Sequence, residues 1–154
     1  GEVAIKSQSN MKGYWRNESA TKECINEHGW FKSGDLGKFD GPFLYILDRL
    51  KDMVIRGGEN IACPEVEGAI YEHPDVLEAS VFGIPDERLG EILCTSIYLR
   101  DNSNTTEETI RDFLSNKLAA FKIPAVIKFS TEPLPKLASG KFDKPTLRGL
   151  FENK

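Results

Sequence analysis

The chain has 154 residues, 40% hydrophobic and 29% charged, which supports a packed core and argues against a disordered, collagen-like or disulfide-stapled polypeptide. Its net charge of −4 supplies no positive field to gather DNA or RNA, so nucleic acid is not expected as a partner. No apolar run approaches the about 20 residues that cross a bilayer, and Gly1-Glu2-Val3-Ala4-Ile5-Lys6 does not read as a secretory leader, so a cytoplasmic setting is expected.

Residues 2–6 alternate as a short strand, and residues 11–37, rich in Gly, Asn, Ser and aromatics, read as loop with short strands. Asp40-Gly41-Pro42 is a turn signal, after which residues 43–47 read as a buried strand ending in the charged run Asp48-Arg49-Leu50-Lys51-Asp52. Met53-Val54-Ile55 is strand-like and leads into Gly57-Gly58. A helix then opens at Pro64, places Val66, Ala69 and Ile70 on one face, and stops at His73-Pro74. Strands are predicted over 77–84 and 92–99. Thr105 with Glu108 reads as a capping box before a helix that buries Ile110, Phe113, Leu114 and Leu118. A further strand fits 126–129, and Pro145 opens a last helix with Leu147, Leu150 and Phe151 in one stripe.

From Met53 the order strand, helix, strand, strand, helix, strand, helix predicts an α+β unit, with helices packed on a short sheet. Residues 1–50 read as a separate β-rich piece, and residues 51–154 as the second domain. Charge is uneven along the chain. Residues 65–91 carry eight acids against one base, Arg88, whereas residues 133–154 carry the bases Lys136, Lys141, Lys144, Arg148 and Lys154 against two acids, making the C-terminal end a candidate to meet phosphate.

Three well-separated cysteines, Cys24, Cys63 and Cys94, read as free thiols, the last two as small core residues. His28 and His73 lack partners at ligand spacing and suit surface or helix-end positions. No metal site is expected.

Phosphate-binding fingerprints are absent: Pro135 stands where a P-loop ending in Gly140-Lys141 needs its first glycine, and no Gly-x-Gly-x-x-Gly occurs. Four clusters remain. Asp35, at the end of Gly29-Trp30-Phe31-Lys32-Ser33-Gly34-Asp35, is either a turn aspartate or an acceptor for a ribose diol. Arg49 in the charged run is a solvated connector residue or a phosphate or ribose ligand. In Arg56-Gly57-Gly58-Glu59-Asn60 the glycines serve a tight turn or the close approach of a ligand. Lys141, on a Pro- and Gly-bounded loop, either faces solvent or neutralises charge developing on a phosphate or carboxylate.

In this order the clusters resemble the C-terminal third of the adenylate-forming superfamily: acyl-CoA synthetases, peptide-synthetase adenylation domains and firefly-type luciferases. The likeness runs from Gly1-Glu2-Val3 and Gly13-Tyr14-Trp15 through Gly29-Trp30 with Ser33-Gly34-Asp35, the run 48–52, and Gly57-Gly58-Glu59-Asn60 with Glu65-Val66-Glu67. It continues through His73-Pro74, Gly83-Ile84-Pro85-Asp86 and Gly90-Glu91 to Pro135-Lys136 and Ser139-Gly140-Lys141.

The resemblance implies that Asp35 holds the ATP ribose hydroxyls, Arg49 contacts ribose or phosphates, and Lys51 is the hinge. Lys141 would reach the acyl carboxylate and α-phosphate, and rotation about Lys51 would bring Gly57, Gly58, Glu59 and Asn60 to the pantetheine arm of CoA. Lys51 stands where many relatives have Asp, and Ser7 where many have Gly. The implied reaction joins a carboxylic acid, a fatty acid foremost, to AMP and then to CoA. ATP and CoA are the co-substrates, and the Mg2+ ligands are expected upstream.

Residues 1–50 would then be the end of the large adenylating domain and 51–154 the mobile small domain, the rest of the polypeptide being the missing partner. Such a fragment is expected to be inactive alone. The Gly-Gly-Glu-Asn form favours the acyl-CoA synthetase branch over a carrier-protein-loading adenylation domain. From another class, a non-catalytic stand-alone accessory module is the alternative.

Overall fold

The residues on either side of Gly41-Pro42 pair as a hairpin, because Gly41 adopts a φ of 55° and so closes a two-residue turn between Asp40 and Phe43. In the computed structural model, which describes residues 1–152, this hairpin belongs to the first of two compact units, Gly1–Lys51 and Asp52–Lys154. The first unit holds β1 (Glu2–Ile5), α1 (Glu18–Cys24), β2 (Phe31–Asp40) and β3 (Phe43–Arg49), and its sheet is antiparallel in the order β1-β2-β3.

Helix α1 corrects the loop reading of residues 11–37. It buries no side chain, so hydrophobic spacing carries no trace of it. Local chemistry forms it instead: the Asn17 side chain accepts from the Ala20 N–H at 3.0 Å, and Lys22 pairs with Glu18 one turn away at 2.8 Å. Strand β3 lies where predicted, but its expected burial does not hold. Phe43 and Ile46, on opposite faces, are 64% and 56% exposed, so a strand of burial-grade composition has neither face covered.

The second unit holds β4 (Val54–Arg56), β5 (Glu59–Ile61), α2 (Cys63–Tyr71), β6 (Val76–Asp86), β7 (Gly90–Leu99), α3 (Glu107–Ser115), β8 (Val126–Ser130) and α4 (Lys144–Glu152). Strand β5, the return arm of a short hairpin, was not among the predicted elements. The five strands form one sheet in the order β5-β4-β7-β6, with β8 running parallel to β7. With four α-helices among the described residues and largely antiparallel sheets the architecture is α+β.

Alternate residues of β6 and β7 enter two cores. Ala79, Val81, Leu93 and Ile97 pack with Val66 and Ile70 of α2 and Ile110 and Leu114 of α3. Phe82 and Cys94 face the other way, toward Leu134 and toward Leu147 and Phe151 of α4. Burial on both faces is why these strands read as near-continuous apolar runs.

The N-cap of α3 is Thr106, whose side chain accepts from the Thr109 N–H at 3.2 Å, and not Thr105 of the predicted capping box. Thr105 instead donates its hydroxyl to Asp75 at 2.6 Å. No helix among the described residues is long and apolar enough to cross a membrane.

Because Leu93 is fully enclosed while Ile46 is open to solvent, the two truncations should differ sharply. Leu93→Ala is expected to destabilise the second unit by about 2–5 kcal/mol in urea unfolding. Ile46→Ala should change stability by less than about 0.5 kcal/mol.

Candidate functional site

Asp35 sits in a bulge. Leu36 pairs with Glu2 and Lys32 with Ala4, so the segment Ser33-Gly34-Asp35 is looped out of the β1–β2 ladder, with Gly34 at a φ of 72°. The bulge is tied down by Ser33 Oγ, which donates to the Val3 carbonyl at 2.8 Å and accepts from the Asp35 N–H at 3.0 Å. Across the β2–β3 ladder Asp35 faces Arg49, whose Nε donates to Asp35 Oδ1 at 3.1 Å. Two clusters 14 residues apart thus become one. Both side chains keep substantial exposure, which leaves the outer edges of a carboxylate and a guanidinium open to a diol or a phosphate. Lys51 is the last residue of the first unit, in a short 3-10 turn, Leu50–Asp52.

Gly57 and Gly58 form the two-residue turn between β4 and β5, at φ values of 58° and 89°. That left-handed pair explains both glycines as turn residues. A side chain at Gly58 would meet nothing within 4 Å, so the turn is also open to an incoming ligand. Glu59 and Asn60, exposed on β5, pair with Arg56 and Ile55. Two bonds fix the hairpin from behind: the Gly57 N–H donates to the Leu89 carbonyl at 2.8 Å, and Glu91 Oε2 accepts from the Ile55 N–H at 2.8 Å. Gly83 makes the second possible, since a Cβ there would lie 2.9 Å from Glu91 Oε1.

Lys141 lies on a closed loop. The Leu137 N–H donates to the Lys141 carbonyl at 2.8 Å, Gly140 to Leu137 at 2.9 Å, and Asp143 to Pro135 at 2.9 Å. Asp143 then caps α4 by accepting from the Thr146 N–H and hydroxyl. The loop's entry is held by Glu78 of β6, which accepts from the Leu134 N–H at 2.7 Å and pairs with Lys136 Nζ. Burial pushes the Glu78 carboxyl up, but Lys136 and the Leu134 N–H more than offset this and hold it below the ordinary 4.5.

The basic C-terminal run is not a free phosphate surface as read from sequence. Lys136 pairs with Glu78, Lys144 with Glu67 at 3.3 Å, and Arg148 Nε donates to the Gly83 carbonyl at 3.1 Å. Lys154 lies outside the described residues. Among the described bases of the run, Lys141 alone is exposed with no protein partner. The hairpin meets β7 at Gly90, opposite Asp86, while the Lys141 loop is tied to Glu78 at the other end of β6. Eight residues of strand separate these anchors, roughly 25 Å.

Cys63 and Cys94 are buried in the cores, and burial pushes the Cys94 thiol up to about 11, leaving it neutral. His28 is exposed beside Glu27, and His73, next to the end of α2, is buried edge-on against Phe113. The sequence reading missed the part of Glu78. Its signal was an acid between Leu77 and Ala79, inside a strand otherwise composed for burial on both faces.

Residues 65–141 match the AMP-binding enzyme C-terminal domain family, and the chain belongs to this family of adenylate-forming enzymes as their C-terminal part. It is 42% identical over 153 residues to the mitochondrial medium-chain acyl-CoA ligase of Rattus norvegicus, covering 99% of this chain and 25% of that protein. To the 2-succinylbenzoate–CoA ligase of Bacillus licheniformis it is 44% identical over 142 residues, covering 92% and 29%. ATP-bound MatB from Rhodopseudomonas palustris matches with a TM-score of 0.92 at 34% identity, over 99% of this chain and 30% of that one, whereas apo MatB gives 0.70. The chain therefore spans 25–30% of the length of these relatives.

With its folded-state value depressed, Glu78 contributes its tie in full above the ordinary 4.5, and the tie is lost as pH falls through the lower folded value. Hydrogen-exchange protection of the Leu134 amide, corrected for intrinsic rate, should thus stay constant from neutral pH down to 4.5 and collapse only below it. Protection fading near neutral pH would contradict the tie.

Proposed function

We propose that this chain is the C-terminal part of an acid–CoA ligase that activates a carboxylic acid with ATP and passes the acyl group to CoA. The observation carrying this reading is Lys141, the described base of the C-terminal run left exposed and unpartnered, on a loop closed at both ends. In the first step a carboxylate oxygen attacks the α-phosphorus of ATP, the bond to the bridging oxygen breaks, and pyrophosphate leaves with that electron pair. Lys141 stabilises the negative charge on the carboxylate and α-phosphate as the new bond forms. Asp35 accepts hydrogen bonds from the ribose hydroxyls, and the free edge of Arg49 holds ribose or phosphate. Mg2+ would enter with ATP, on ligands outside this chain.

In the second step the CoA thiol loses its proton, its sulfur attacks the acyl carbonyl, and AMP leaves. Gly57, Gly58, Glu59 and Asn60 border the pantetheine arm in this step. Two features support sequential use of the two elements. The hairpin and the Lys141 loop are anchored at opposite ends of β6, so one placement of the sheet does not present both to a single reacting centre. In addition, Lys51 is the last residue of the first unit, the position at which a hinge between the two units would act. The uncovered faces of β3 suit the edge of a larger domain formed by upstream sequence, residues 1–50 being its last part.

The substrate acid belongs to that larger part. Relatives of similar identity are named for medium-chain acyl, 2-succinylbenzoate and oxalate substrates, which supports placing acyl choice outside this segment.

The reading is tested by carboxylate-dependent release of pyrophosphate and AMP, with and without CoA, from this chain and from the same protein extended upstream. Turnover is expected only in the extended protein and only with CoA thioester formed. In that protein Lys141→Ala should slow acyl-AMP formation about 100-fold or more, while leaving thioester formation from supplied acyl-AMP within about threefold. Equal loss in both steps would remove the role given to Lys141, and transfer to a carrier protein in place of CoA would select an adenylation domain.

A further inference from the structure

We propose that Glu78 is the positioning residue for Lys141, holding the loop that carries it through one main-chain and one side-chain bond. Its two oxygens are divided between two donors at the loop entry: Oε2 accepts from the Leu134 N–H, and Oε1 takes the Lys136 ammonium, 56 and 58 residues away in sequence. The Leu134 side chain is buried beside Phe82 and Leu147, so the peptide held by Glu78 is also held by the core. Lys136 in turn lies over the Phe142 ring, 5.4 Å from its centroid, and bridges the Phe142 backbone, which follows Lys141 directly. One carboxylate thus fixes the entry of the loop and, through Lys136, its exit.

The same contact has an electrostatic result. Lys136 and Lys141 are five residues apart on one short loop, and without Glu78 two cations would compete for any anion that approaches it. With Lys136 paired, Lys141 is the uncompensated charge of the loop. A half-buried carboxylate in a strand covered on both faces costs desolvation unless it is partnered, and these partners are what the position supplies.

Glu78 braces the loop whatever the loop does; its consequence for catalysis rests on the adenylation role proposed for Lys141. The test uses the protein extended upstream, with Glu78→Gln, Lys136→Met, Lys141→Ala and the double variant Glu78→Gln/Lys141→Ala. Trypsin should cut after Lys141 about tenfold faster in Glu78→Gln than in the parent. Acyl-AMP formation should fall about 10- to 100-fold, with thioester formation from supplied acyl-AMP unchanged within about twofold. The double variant should be no slower than Lys141→Ala alone, since a displaced loop has nothing left to misplace.

Glu78→Gln that alters neither the tryptic cut nor adenylation overturns the proposal. So does equal slowing of both half-reactions together with a lowered thermal midpoint, the mark of a merely structural residue. Should Glu78→Gln fail to fold, Lys136→Met, at an exposed side chain, is expected to give the same selective slowing at smaller size, and a folded Lys136→Met without it also overturns the proposal. If Lys141→Ala spares adenylation, the role of Lys141 fails, and the tryptic cut then decides the brace by itself.

Discussion

The long antiparallel pairing of β6 with β7 is the constraint on which the second unit depends. Val81 and Leu93 enter one core and Phe82 and Cys94 the other, so this ribbon is covered on both faces. The candidate site residues of this unit lie on a hairpin and a loop tied to its ends. The β4–β5 hairpin joins at the Gly90 end, and the Lys141 loop is tied in at Glu78 near the other. Each of these two turns is pinned by hydrogen bonds, so the sheet holds them at separated, fixed anchors.

Acids on α2 and β6 organise what surrounds this ribbon. Glu67 accepts from the Val81 N–H on β6 and pairs with Lys144 at the start of α4, while Glu65 and Glu72 reach Lys122 and Lys117 across the α2–α3 side. Several of these pairs are partly exposed, and such pairs each contribute little stability. Their larger effect is selective: by engaging Lys136, Lys144 and Arg148, the fold leaves Lys141 as the available cation of a run that looks uniformly basic in sequence.

The first unit obeys a different constraint. Its sheet is well registered, and a bulge brings Asp35 opposite Arg49, yet its apolar strand residues are not enclosed. Ladder pairing and the Arg49–Asp35 bond hold the pair in place, and the hydrogen bonds of Ser33 with a left-handed Gly34 set the bulge that presents it.

Sequence alone determined the elements whose causes are local or periodic. The apolar stripes of α2 and α3, that of α4 apart from Leu150, which is 57% exposed, the runs of β6 and β7 and the glycine turn at 57–58 were legible because spacing and φ requirements act within a few residues. The ordered clusters from Asp35 to Lys141 likewise carried the family. Helix α1 escaped this reading because it has no buried face to leave a period, and the cap of α3 moved by one residue because Thr105 is claimed by Asp75 from a distant loop. Only the tertiary structure decided which charges are paired and which strand faces are covered. Those outcomes depend on partners 14 to 58 residues away, Asp35 with Arg49 and Glu78 with Lys136, whose meeting is set by sheet register and core packing rather than by any neighbour in the chain.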